Sequence, residues 1–137
     1  MTKIATRRNE FFRNSFNAKN SKIIEIGAFD NPTFLKEENY DVNYLDYFSK
    51  EELIAMHKNN TKRNFDNVVE VDHVVKSSKI AETVGCNFDV VVANHVIEHI
   101  PNLVGWFRQI SRLLSLDGVL LLSVPDKRYT FDYFRPV

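Results

Sequence analysis

From Ser21 onward, short apolar runs alternate with stretches whose apolar residues recur at helical spacing. The runs predict five strands, Lys22–Ile26, Val42–Asp46, Val68–Asp72, Phe88–Ala93 and Val119–Val124. Val90-Val91-Val92-Ala93 and Val119-Leu120-Leu121-Leu122 are apolar without a break, as strands covered on both faces are. Between them, Ser49 followed by Glu52 spells a capping box that opens a helix to about Lys58. Asn31-Pro32 offers a cap and first residue for another helix. Pro101 starts a third, with Leu103, Phe107, Ile110 and Leu114 on one stripe, and Asp117-Gly118 turns the chain into the fifth strand. Residues 1–20 read as a leading amphipathic helix with Ile4, Phe11, Phe12 and Phe16 on its apolar face. Strands alternating with helices imply an α/β fold, a doubly wound parallel sheet with flanking helices, over residues 21–137.

Composition narrows the function classes. With 137 residues, 44% hydrophobic and 17 aromatic, the chain has the material for one packed domain. Lys plus Arg and Asp plus Glu are 18 each, so net charge gives no pull toward nucleic acid or an anionic membrane, and neither is expected as a partner. The charge is uneven, however: residues 1–22 carry six basic side chains against Glu10 alone, a basic leader on an acidic body. The single cysteine, Cys86, excludes an internal disulfide and a cysteine-based zinc site, which fits a reducing cytoplasm. No apolar run approaches the roughly 20 residues that span a bilayer.

Open α/β sheets bind ligands at the carboxyl ends of their strands. At the first such end, in Glu25-Ile26-Gly27-Ala28-Phe29-Asp30-Asn31-Pro32-Thr33, Gly27 lets a ligand approach the backbone. At the second, Asp46 in Tyr44-Leu45-Asp46-Tyr47 lies 19 residues after Gly27, close to the spacing at which a carboxylate reaches a ribose diol. Gly27 alone is more often an ordinary turn; paired with Asp46 it indicates an adenosine-type ligand. A dinucleotide pyrophosphate needs G-x-G-x-x-G, and the second and third glycine positions hold Phe29 and Pro32. Pro32 has no N–H to donate. The loop therefore favours a cofactor without phosphates over NAD.

These motifs, with Val71-Asp72 and Phe88-Asp89-Val90-Val91-Val92-Ala93-Asn94-His95-Val96-Ile97-Glu98-His99-Ile100, resemble the class I S-adenosylmethionine-dependent methyltransferases. The likeness is to their small-molecule, type 11-like group, which includes enzymes of ubiquinone and cell-surface sugar pathways. The resemblance implies that Glu25, Gly27 and Ala28 line the methionine end of S-adenosylmethionine, that Asp46 holds the ribose and that Tyr47 flanks the adenine. It puts Asp72 and His73 at the adenine edge, and Asn94 and His95 beside the transferred methyl group. The acceptor it implies is a small molecule or a sugar. The family fold continues past a fifth strand with a helix and an antiparallel pair. The expectation is thus a domain incomplete at its C-terminus, whose fifth strand is an exposed edge that pairs with another copy in a homodimer.

His95-Val96-Ile97-Glu98-His99 also spells the H-x-x-E-H of zinc peptidases, but it follows a buried strand rather than lying on a helix. The resembling ubiquinone-pathway enzymes hold a divalent cation at this place; here His95 stands where they have a carboxylate, and no metal is expected. His95 and His99 are instead candidate general bases for a hydroxyl acceptor. The run Asp126 to Arg135 mixes charges and aromatics, as either an acceptor-pocket wall or an ordinary loop would. A noncatalytic cofactor-binding module and an NAD-type oxidoreductase remain as alternatives.

Overall fold

The computed structural model describes residues 3–126 and 128. The elements run α1 (Lys3–Asn14), β1 (Lys22–Ile26), β2 (Asp41–Asp46), α2 (Lys50–His57), β3 (His73–Val74), α3 (Ile80–Val84), β4 (Phe88–Asn94), α4 (Leu103–Leu113) and β5 (Leu114–Ser123). All strand pairs are parallel, in the order β3-β2-β1-β4-β5. This is the doubly wound, Rossmann-like arrangement.

Alternation along the central strands sorts the core onto two faces. Ile24, Ile26, Val91 and Ala93 pack with Trp106, Ile110 and Leu113 of α4 and with Ile80 of α3. Ile23, Val90 and Val92 pack on the other face with Phe12 of α1, Phe34 and Tyr44. Glu25, two residues on from Ile23, shares that second face and is 1% exposed. On α1, Phe12 is buried but Phe11 points to solvent, so the apolar face is narrower than the pattern suggests; Phe16, half-buried, lies beyond the helix's end at Asn14. The side chain of Ile4 lies outside the described residues.

The capping box is formed as expected: Ser49 Oγ accepts the Glu52 N–H and Glu52 Oε2 accepts the Ser49 N–H at 2.8 Å. Four other expectations are corrected. No α-helix follows Asn31-Pro32; one 3-10 turn, Lys36–Glu38, lies between β1 and β2. The Glu25 carboxylate accepts the N–H groups of Thr33 and Phe34. Phe34 is fully buried, against Phe16 and Tyr40.

The third strand is not Val68–Asp72. Phe65–Asn67 forms a 3-10 turn capped by Asn64, Val68 packs with Phe29 and Leu53, and the Val69 N–H bonds the Phe29 carbonyl. Those apolar residues serve a small third cluster, and pairing with β2 begins only at His73. Helix α4 starts after Pro101, with Asn102 as its cap, Oδ1 accepting the Gly105 N–H at 2.9 Å. Its buried stripe is Trp106, Ile110 and Leu113, while Leu103 and Phe107 are 37% and 38% exposed. Finally, β5 begins at Leu114 opposite Phe88, and its next pair is Val119 with Val90. Ser115 to Gly118 bulge out of the ladder, and the Ser115 hydroxyl donates to Asp89. β5 borders the sheet among the described residues.

Candidate functional site

The carboxyl ends of β1, β2 and β4 lie side by side, because β1 pairs with both neighbours in register: Ile26 is level with Leu45 and with Ala93. Gly27, Asp46 and Asn94 therefore arrive at one edge. Gly27 has φ +68°, and its N–H bonds the Leu45 carbonyl at 2.9 Å. A Cβ there would stand 3.2 Å from Cγ2 of Val96 and would sit in a backbone conformation that favours glycine. Phe29 occupies the second glycine position and itself takes φ +46°. Its ring is removed from the edge: it packs with Leu53 and Val68, beside His57 at 4.9 Å and under the Arg63 guanidinium at 5.0 Å. Arg63 also pairs with Asp30 at 2.9 Å. The turn thus keeps two left-handed residues with one glycine, and the bulky residue is spent on the core.

The Glu25 carboxylate is wholly buried and accepts the Thr33 N–H at 2.8 and 2.9 Å and the Phe34 N–H at 3.3 Å. Burial pushes its pKa up, and the Thr33 and Phe34 hydrogen bonds and the Arg8 charge on α1 oppose that rise. Ala28 is buried in the α1-side core. Asp46 Oδ1 accepts the Phe48 N–H at 3.1 Å; burial raises its pKa too, against the Phe48 and Tyr47 N–H groups. Tyr47 is exposed, its ring edge-on to Phe48 at 4.9 Å.

Asn94 Nδ2 donates to Thr33 Oγ1 at 2.9 Å and lies 3.5 Å from Glu25 Oε1, whereas its Oδ1 is buried with no hydrogen-bond partner among the described residues. His95 follows with φ +56°, its N–H bonded to the Ser123 carbonyl at 2.8 Å, which ties the end of β4 to β5. Glu98 Oε1 stands 3.7 Å from His95 Nδ1 and 4.0 Å from His99 Nε2; both imidazoles are exposed. No group of three or more His, Cys, Asp or Glu among the described residues is placed to hold a metal.

Two residues of the sequence-based set are not at this edge. Asp72 is level with Tyr44, two residues short of the end of β2, and its carboxylate accepts the Tyr44 N–H at 2.7 Å and pairs with Lys36 at 2.6 Å. His73 is level with Leu45, and its Nε2 faces Asn43 Oδ1 at 3.3 Å. Of the aromatic-charged run from Asp126 to Arg135, only Asp126 and Arg128, paired at 2.6 Å, are among the described residues. A cavity of about 1050 Å³ lies between the 30–37 loop and residues 62–70, and Gly27, Asp46 and Asn94 do not line it.

A methyltransferase-domain family profile matches residues 2–134. The chain belongs to that family. Among solved structures it is similar to the complex of DhpI with SAM and HEP, at TM-score 0.56 and 18% identity over 90% of this chain and 55% of that one. It is similar also to a TehB-like SAM-dependent methyltransferase from Corynebacterium glutamicum, at TM-score 0.56 and 17% identity over 95% and 67%. The trans-methyltransferase CalH in complex with SAH gives TM-score 0.52 and 21% identity over 87% and 35%. At such identities the likeness is one of fold. The chain spans 55% and 35% of the length of the DhpI and CalH chains. None of the curated proteins compared is significantly similar to it in sequence.

Within this methyltransferase domain, Thr33, Arg8 and Arg13 are the contributors that sequence reading misses. Arg13 Nε and Nη2 donate to the Thr33 carbonyl at 2.9 and 2.7 Å, and Arg13 pairs with Glu38 at 2.9 Å. No local pattern marks them. Their partners at the site lie 8 to 61 residues away in the chain.

Proposed function

We propose that the chain is the cofactor-binding part of an S-adenosylmethionine-dependent methyltransferase that acts on a small-molecule or sugar-type acceptor. The observation that carries this reading is the convergence, at one sheet edge, of Gly27, the Asp46 carboxylate and the unpartnered Asn94 Oδ1. A buried acceptor without a donor costs roughly 1–3 kcal/mol, which a ligand N–H or O–H recovers. The residues fit the cofactor: Gly27 gives backbone access, Asp46 an anionic acceptor for a ribose diol, and Asn94 an acceptor for a polar group beside it. The loop carries no phosphate-binding glycines beyond Gly27, which a sulfonium cofactor does not need and a dinucleotide does. Two of the similar solved structures are complexes with SAM or SAH.

When bound, the cofactor supplies an activated methyl group on sulfur. The protein's part is to orient the acceptor and to take up its proton, and positioning is the larger share of such catalysis. For a hydroxyl acceptor, His95 with Nδ1 toward Glu98 keeps Nε2 for that proton, and His99 is the second candidate. Calorimetric titration with S-adenosylhomocysteine and with NAD tests the cofactor: binding of the second and not the first refutes the reading. Turnover with a panel of hydroxyl acceptors then separates an enzyme from a binding module. The free side of β5, with Leu116 and Val119 exposed, is where a second copy would pair; a monomeric mass by light scattering refutes that pairing.

A further inference from the structure

Thr33 is fully buried, and every polar group it owns is engaged by a different element. Its N–H is held by Glu25 at the end of β1, its carbonyl by the Arg13 guanidinium on α1, and its Oγ1 by Asn94 Nδ2 at the end of β4. The hydroxyl also hydrogen-bonds the Glu25 carboxylate. It is therefore wedged between the two strand ends, accepting from one and donating to the other. The bond to Thr33 is the shorter of two that the Asn94 amide makes: Nδ2 also donates to Glu25 Oε1 at 3.5 Å, and Oδ1 has no partner among the described residues. Without the Thr33 hydroxyl, only the long bond to Glu25 holds that amide's orientation.

We propose that Thr33 is a positioning residue for ligand binding. Its hydroxyl sets the Asn94 amide so that Oδ1 is the atom offered at the strand ends, and its carbonyl makes α1, through Arg13, part of the support. The inference rests on the S-adenosylmethionine reading above.

The test is calorimetric affinity for S-adenosylhomocysteine in the full chain and in Thr33→Val, Thr33→Ser, Asn94→Ala and the Thr33→Val/Asn94→Ala double variant, with the thermal midpoint of each. Thr33→Val keeps the shape and both backbone bonds, and is expected to weaken binding about tenfold, the size of one hydrogen bond at a buried site. Thr33→Ser keeps the hydroxyl and is expected to restore affinity to within about twofold of the unaltered chain, whatever it does to the midpoint. In the Asn94→Ala background, Thr33→Val is expected to cost nothing further, because the residue acts through Asn94. Affinity unchanged by Thr33→Val, losses that add in the double variant, or failure of Thr33→Ser to restore binding overturns the inference alone. An unaltered chain that binds no S-adenosylhomocysteine overturns the parent reading and the inference with it.

Discussion

Asp46→Asn separates binding from folding at the proposed ribose contact. Asparagine keeps an Oδ1 for the Phe48 N–H, so the local backbone is retained, and exchanges the second carboxylate oxygen for a donor. A hydroxyl that donates to an ionised acceptor contributes about 1.5–3 kcal/mol. Its loss is expected to raise the dissociation constant for S-adenosylhomocysteine roughly 10- to 150-fold. Stability is expected to move the other way. Burial raises the Asp46 pKa above 3.8, so its contribution is fully present below that value and is lost as pH rises through the folded pKa. At neutral pH the ionised carboxylate is therefore a burden on the fold, which asparagine removes. Calorimetric titration and urea unfolding of the same preparation read both effects. Equal affinity in Asp46→Asn and the unaltered chain would refute the ribose assignment; a large loss of stability would refute the account of its burial.

Glu25, raised above 4.5 by burial, has the same sign: its stabilising contribution falls as pH rises through its folded pKa. Glu25→Gln keeps one acceptor for the Thr33 N–H and gains a donor near Asn94, so its stability is expected to fall less than that of the unaltered chain as pH rises above 4.5. Parallel pH profiles in thermal melts would refute this. On α4, Ile110→Ala is expected to cost about 2–5 kcal/mol in urea unfolding. Phe107→Ala, which loses mainly an edge contact with Trp106 at 5.3 Å, is expected to cost about 1 kcal/mol. Equal costs would restore the stripe that the sequence pattern suggests.

The three strands that carry the site are the most legible part of the sequence, and for one reason. β1 and β4 are buried on both faces and β2 buries Val42, Tyr44 and Leu45, and the ends of all three fall within a residue of where the sequence pattern puts them. The capping box is equally local, needing only Ser49 and Glu52. Legibility fails where an apolar residue has a choice of partner. Val68 joins Phe29 and Leu53 instead of a strand, and α4 turns Trp106 inward in place of Phe107. It fails again at Asn31-Pro32, a sound helix start after which the chain instead buries Phe34 against Phe16 and Tyr40. Gly27, Asp46 and Asn94 are legible because strand ends are; the role of Thr33 is not, since it exists only once α1, β1 and β4 are assembled.

The order 3-2-1-4-5 places the earliest of these five strands at the centre of the sheet. Its first partner, β2, is complete by Asp46, but the second, β4, begins only at Phe88. At about 5–20 residues per second, a ribosome takes several seconds to bridge that interval. Throughout it, the edge of β1 that will pair with Val90–Ala93 presents open backbone groups beside Ile23, Ile24 and Ile26, all of which end up buried. The nascent chain therefore carries its stickiest edge early and covers it late, and the interval between β2 and β4 is the window in which a chaperone has something to hold.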